Sequence, residues 1–411
     1  MRRRVGAGSR WAGRAALVLA IAQAVMGARV AARLAGTARV IRVARRDEPA
    51  AERIGVIVPV LNERDRLAPC LVGLLAQPDE FAEIVVVDGG STDGTRELVA
   101  RFAARDSRLR WLDATPVPPG INGKAHGLQA GLGALGAGHE WILTIDADVR
   151  PGPDLARSLL SHAAATGLVA FSVATGQRLS GPGEGIVHPA MLATLVYRYG
   201  IPGQAVTRVR QVQANGQCML VRADALRDAG GFAAVRDSVC EDVTLARGLV
   251  LAGHRVGFFE SEGLVSVEMY GGWREAWHGW TRSLPMHDRH AGTGTIIGLA
   301  EVVLAQAGPI PVLATLLTRS GGRGGWGSLL GRLNLALLTM RLGTLAGMAR
   351  AYENRPVTYW LSPLADLPVA LALARSAARR HHSWRGRPIT RGGQGAIPAP
   401  AAPDLESGVS R

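Results

Sequence analysis

Between residues 54 and 145, short apolar runs alternate with stretches of helical periodicity, and this alternation narrows the fold more than any other property of the chain. Ile54–Val58, Ile84–Val87, Leu109–Leu112 and Trp141–Ile145 read as strands. Leu67, Leu71, Leu74 and Leu75 recur at helical spacing, as do Leu98, Val99 and Phe102, and Gly123–Gly136 reads as a further helix. Strand following helix in this way predicts an α/β domain on a mostly parallel twisted sheet. Such sheets gather ligands at the C-terminal ends of their strands.

The residues at those ends carry chemistry. Asp146-Ala147-Asp148 follows the strand Trp141–Ile145. Two carboxylates two residues apart on an extended segment point the same way. Oxygen ligands of this kind hold Mg²⁺ or Mn²⁺ and leave coordination positions for a diphosphate. Taken alone, the triplet also suits a solvated turn. Pro59 and Glu63 lie in the run Val58–Glu63 that closes the first strand, with Asn62 placed to cap the next helix. Asp88 closes the second strand and can accept hydrogen bonds from a uracil or ribose edge, Gly89 and Gly90 permit close backbone approach, and Asp93 can cap the helix that follows. A turn with two caps is the other reading.

Asn122-Gly123-Lys124 opens the third helix, where backbone N–H groups favour anions. Lys124 would add a point charge beside a diphosphate, or lie on the surface; it is the only lysine in the chain. Further on, Cys240-Glu241-Asp242 precedes a helical run at Val243, Leu245 and Leu249. Asp242 can take a proton from an acceptor hydroxyl, or simply begin that helix.

Together these elements, over roughly residues 54–290, resemble the catalytic domain of family 2 glycosyltransferases of the GT-A fold. Asn215-Gly216-Gln217, Met269-Tyr270, Gly279-Trp280 and Trp384-Arg385-Gly386-Arg387 look like the membrane-bound branch that includes diaponeurosporenoate glycosyltransferase and hopanoid-associated glycosyltransferases. The resemblance implies an inverting hexosyltransferase that uses a UDP-sugar and Mg²⁺ or Mn²⁺. It implies Asp146 and Asp148 as metal ligands, Pro59, Glu63, Asp88, Lys124 and Asp146 around the donor, and Asp242 with Glu241 as the catalytic pair. The Gln-x-x-Arg-Trp signature of processive synthases is absent, which favours one sugar per acceptor. Glu268 stands where that branch more often carries a basic residue.

The flanks read differently. Arg2, Arg3, Arg4, Arg10 and Arg14 precede an apolar run, Ala15–Ala28, of only about fourteen residues, against roughly 20 for a spanning helix. An interfacial or tilted anchor is expected there. After Gly294 three apolar segments follow: Thr295–Leu317, broken by Pro309 and Pro311; Leu329–Met348, carrying Arg332 and Arg341; and Leu361–Ala374, carrying Asp366. The formal charge of +14 sits largely beside these segments, a pattern that suits an anionic membrane surface better than nucleic acid. Trp273, Trp277 and Trp280 share one helical face, which suits a bilayer interface or ordinary packing. Cys70, Cys218 and Cys240 lack metal spacing and read as buried thiols of a reducing compartment.

The expected organisation is a basic N-terminus with an anchor (1–50), the transferase domain (51–290), membrane-associated helices (291–380) and a basic, then disordered tail (381–411). The catalytic domain is expected on the cytosolic face of the cell membrane, with a UDP-sugar, a lipid acceptor and the membrane as partners. A carotenoid, a hopanoid or another isoprenoid or glycerolipid would fit as acceptor. The competing readings are a polyisoprenyl-phosphate sugar synthase and a non-catalytic membrane scaffold with a degenerate domain.

Overall fold

The computed structural model describes residues 7–286, 288, 294–318, 325–379, 381–384 and 387–390. The N-terminal Arg2, Arg3 and Arg4 and the tail from Gly392 lie outside the described residues. Two sheets are built from β1 (Arg42–Val43), β2 (Ile54–Val60), β3 (Phe81–Asp88), β4 (Leu109–Asp113), β5 (Trp141–Ile145), β6 (Val149–Pro151), β7 (Ala170–Ala174), β8 (Gly176–Gln177), β9 (Gln204–Val206), β10 (Cys218–Arg222), β11 (Val256–Ser261) and β12 (Val265–Val267). The larger sheet runs β1-β11-β7-β10-β5-β2-β3-β4, with β9 paired to β11; the smaller is β6-β12-β8. β2 pairs in parallel with β3 and β5, β3 with β4, and β11 with β7 and β1. β10 and β9 are reversed. The sheet is therefore mostly parallel, as the alternation of elements predicts.

Helices on both faces explain why these strands are apolar on both sides. On one face, α2 (Arg64–Leu75) places Leu67, Leu71 and Leu74 against Val56, Val58 and Val86, with Leu159 and Leu160 alongside. On the other, Ala125 and Leu128 cover Ile57, Val85 and Val87. Burying each such aliphatic side chain contributes about 1.5–3 kcal/mol. One glycine makes the second layer close-fitting: a Cβ on Gly131 would come within 2.6 Å of Ile57.

The remaining helices are α1 (Ala7–Gly36), α3 (Thr95–Ala103), α4 (Gly123–Ala134), α5 (Leu155–Thr166), α6 (Pro182–Tyr199), α7 (Ala223–Asp228), α8 (Glu241–Leu251), α9 (Trp273–Ser283), α10 (Gly294–Glu301), α11 (Pro309–Thr318), α12 (Gly325–Met348) and α13 (Asp366–Ala378). Among the described residues, two helical stretches are long and apolar enough to cross a membrane, Gly13–Gly36 and Val357–Ala378. A third joins them if α10 and α11, bent by 43° at their break, count as one span.

The N-terminal helix is longer than its apolar run predicts. Glu301, 1% exposed, pairs with Arg29 Nε at 3.0 Å and Arg33 Nη1 at 2.8 Å, so α1 continues through both arginines. The C-terminal charges are paired as well. Arg341 and Asp366, both buried, meet at 2.8 Å, and Gln306 and Ser362 complete the network. Gln23 of α1 and Asn334 of α12 exchange reciprocal amide hydrogen bonds of 2.9 Å. Removing one partner from such a pair leaves an uncompensated charge in an apolar setting. Asp366→Leu is therefore expected to cost about 3–5 kcal/mol, and the double change Arg341→Leu/Asp366→Leu to recover most of it. Melting curves of the purified protein in detergent check both.

The tryptophan face is packed rather than interfacial. Trp277 and Trp280 of α9 lie against a cluster containing Ala190, Met191, Val302 and Val369. Trp280 stacks edge-on to His188 at 4.9 Å, while Trp273 remains 47% exposed. α9 thus joins the sheet domain to the apolar helices, because the indoles find α6 and α13 to cover them.

Candidate active site

The pairing of β2 with β5 ends at Ile57 and Thr144, and a cavity of about 900 Å³ opens where the strands part. Val60 directs its carbonyl toward Gly89 N at 2.9 Å. Pro59, alternating with it, directs its missing N–H to the side β5 has left, which is where a proline is tolerated. Pro59, Glu63, Lys124, Asp146, Asp148, Glu241 and Asp242 all line the cavity.

Asp146 and Asp148 reach it by a different route from the one their spacing predicts. β5 ends at Ile145, and Asp148 sits in the turn that leads to β6, closed by Val149 N donating to Asp146 O at 3.1 Å. The turn, rather than strand alternation, brings both carboxylates to one space. Lys124 is not beside an empty anion pocket either. Its Nζ lies 2.7 Å from Asp146 Oδ1 and 2.9 Å from Glu241 Oε1, bridging the two carboxylates. Burial works against the ammonium's charge, but Asp146, Glu241 and Asp242 outweigh it and hold its pKa above the usual lysine value.

Glu241 and Asp242 form the first turn of α8, as the sequence allows, where the helix dipole favours negative charge. Asp242 accepts from Gly216 N at 2.6 Å through Oδ2 and from Val243 N at 2.8 Å through Oδ1. Burial, then repulsion from Glu241, pushes its carboxyl up to about 7. Burial also disfavours charge on Glu241, but Lys124 outweighs it and keeps that carboxyl below its ordinary value. The pair is thus split into one firmly ionised carboxylate and one poised near neutrality.

Asp148 is pushed up to about 7 as well, by burial and then by the charges of Asp146 and Glu63. The donors there are all oxygen and carry excess negative charge, which suits Mg²⁺ or Mn²⁺ completed by ligand oxygens. Among the described residues, no group of three or more His, Cys, Asp or Glu side chains forms a ready metal cage. A cation would therefore rely on Asp146, Asp148 and oxygens from outside the protein.

Several expected contacts fall elsewhere. Asp88 does not line the cavity: its Oδ1 accepts from Gly90 N, Ser91 N and Ser91 Oγ at 2.7–3.0 Å, holding the turn. Asn62 does not cap α2. It takes a left-handed conformation at φ 56° and accepts from Thr92 N at 2.8 Å. Asp93 serves both helix starts instead, accepting from Arg64 N and Thr95 N at 3.0 Å each. Glu268 pairs with Arg150 at 2.7 Å.

Other residues gain roles that spacing does not reveal. Asn122 caps α4 by accepting from Lys124 N at 2.9 Å and donates to Glu241 Oε2 at 3.1 Å, locking the lysine and carboxylate together. Gln217 accepts from Thr175 Oγ1 at 2.6 Å, while its buried Nε2 has no partner among the described residues. Arg66 and Tyr270 also line the cavity. The opposite wall is apolar, with Leu192, Leu195 and Val196 of α6 and Met340, Gly343 and Gly347 of α12.

Residues 55–230 match the family model described as Glycosyl transferase family 2. They are a glycosyl transferase family 2 domain. This domain carries the GT-A fold. The mannosyltransferase PcManGT from Pyrobaculum calidifontis, solved with GDP-Man and Mn²⁺, superposes with a TM-score of 0.54 at 20% identity, over 89% of this chain and 98% of that one. In sequence, the chain is 30% identical to succinoglycan biosynthesis protein ExoA of Rhizobium meliloti (strain 1021) over 217 residues, 51% of this chain and 62% of ExoA. It is 35% identical to dolichyl-phosphate beta-glucosyltransferase ALG5C of Trichomonas vaginalis (strain ATCC PRA-98 / G3) over 100 residues, 22% of this chain and 28% of that protein. The chain thus spans less than two thirds of the length of these curated relatives.

Proposed function

We propose that this family 2 domain moves one hexose from a UDP-sugar to the hydroxyl of a lipid acceptor, on the cytosolic face of a membrane held by the apolar helices. The observation that carries this reading is the cavity, which is continuous from the carboxylates at the strand ends to an apolar wall supplied by α6 and α12. Asp242 takes the acceptor proton as that oxygen attacks the anomeric carbon. Glu241 stays ionised through Lys124 and keeps the poise of Asp242. Asp146 and Asp148 would hold a divalent cation, which when bound neutralises charge on the leaving diphosphate. Asn122 fixes Lys124 and Glu241 in register.

A hydroxyl acceptor accords better with the lining than a phosphate. Seven carboxylates face four lysine or arginine side chains around the cavity, and a phosphate would add negative charge to that excess. The membrane-bound branch of isoprenoid and hopanoid glycosyltransferases remains the acceptor class we favour.

Chelation with EDTA is expected to abolish donor turnover, and Asp148→Ala to remove both metal and donor binding; undiminished UDP binding with EDTA present would refute the metal assignment. The acceptor is tested on the apolar wall. No atom lies within 4 Å of a Cβ built on Gly343 or Gly347, so a larger side chain there occupies open space. Gly347→Leu is expected to raise the KM for a lipid acceptor at least tenfold, the worth of about 1.4 kcal/mol, while donor hydrolysis continues. Equal loss of both activities would count against a lipid in this part of the cavity.

A further inference from the structure

A second cavity of about 440 Å³ lies behind Ile201 and Pro202, which it shares with the first, between the end of α1, the end of α6 and the start of α10. Five arginines line it: Arg29, Arg33, Arg198, Arg210 and Arg247. Their carboxylate partners are few. Glu301 is shared by Arg29 and Arg33, and Asp288 pairs with Arg247 at 2.8 Å. Arg198 spends its guanidinium on backbone carbonyls, among them Thr194 O at 3.0 Å and Pro285 O at 3.5 Å. Arg210 makes no hydrogen bond or ion pair with the described residues. Arg247 is 3% exposed, yet its Nε has no hydrogen-bond partner.

Guanidinium groups crowded together repel one another, and a buried N–H donor without an acceptor is costly. Both penalties are relieved by an anion with several oxygens, and the planar donor fork of arginine matches phosphate geometry. The volume suffices for a phosphate ester of headgroup size, and the carboxylates of the first cavity lie beyond the shared wall. The place also fits, because α1 meets the sheet domain here, at the level where an anionic bilayer surface would lie.

We infer that this cavity is a binding site for a phosphate group, set where the apolar helices join the sheet domain and separate from the sugar-transfer site. A phospholipid headgroup and free phosphate share this chemistry. The test uses the full chain in phosphatidylcholine nanodiscs, followed by its melting temperature. Inorganic phosphate is titrated in one arm, and phosphatidylglycerol is added to the bilayer in the other. Stabilisation by phosphatidylglycerol alone assigns a headgroup; stabilisation by phosphate, alone or in competition with the lipid, assigns a site for the free ion too. Arg210→Ala removes an exposed, unpaired side chain and leaves the fold intact, as its melting curve without ligand will show. It should weaken the response about tenfold, the loss of one charge-assisted contact, and Arg210→Lys should restore part of it. No stabilisation by either probe, or an unchanged response in Arg210→Ala, overturns the assignment.

Discussion

Asp242→Asn is expected to lower kcat by about 10²–10⁴ while leaving donor affinity nearly intact. The amide preserves the shape and can still accept from one of the two backbone donors, Gly216 N and Val243 N, but it cannot take a proton. Because Asp242 titrates near 7, the wild-type rate should climb as pH rises through that value, and the variant should lose this limb. Stability moves the other way. Below about 7 the folded protein keeps a proton on Asp242 that the unfolded chain releases near its ordinary value of 3.8. Raising the pH from about 4 to 7 therefore removes stability through this group, and Asp242→Asn should flatten that slope. Steady-state rates and melting temperatures across this range check both signs. A variant that loses donor binding instead would show that Asp242 holds the nucleotide-sugar.

Lys124→Met carries the second large effect. The lysine is the cation between Asp146 and Glu241, so its loss leaves two carboxylates without their counter-charge, at a cost of about 3–5 kcal/mol. Arginine is a poor replacement, because the site is tight: a Cβ on Gly216 would already meet Lys124 Nζ at 2.8 Å. Added Mn²⁺ should restore part of the melting temperature of Lys124→Met, since a divalent ion can neutralise Asp146. Restoration equal to that of wild type under the same titration would mean that Lys124 and the metal do not share a charge balance. Activity should fall with stability, since Glu241 would no longer be held ionised and Asp242 would lose its poise.

The strands and the order of the motifs were legible because parallel strands buried on both faces leave continuous apolar runs, and because catalytic carboxylates follow those runs directly. Ile54, Ile84 and Trp141 begin or lie within strands that pair as their texture implies. What the sequence could not reveal depends on distant partners. Nothing local to Lys124 indicates that Asp146 and Glu241 will both reach it. Nothing beside Asp88 indicates that the next three residues will consume its carboxylate oxygen. Arg29 and Arg33 look like the end of an apolar segment until Glu301 is placed against them, and the indoles of α9 look amphipathic until α6 and α13 cover them. Asn62 and Asp93 exchange their expected tasks because the left-handed turn at Asn62 directs its side chain to the neighbouring loop, leaving Asp93 to serve both helices.

The pairing of Arg29 and Arg33 with Glu301 also bears on how the chain is made. The two arginines leave the ribosome 272 and 268 residues before their partner. Until the segment around Glu301 is synthesised, the last turns of α1 carry two uncompensated charges, and an isolated α1 must hold them at the headgroup level rather than draw them inward. Seating of the first helix at its final depth thus waits on the last quarter of the chain, so a ribosome-bound fragment ending before residue 294 should expose Arg29 and Arg33 to aqueous labelling that the finished protein excludes.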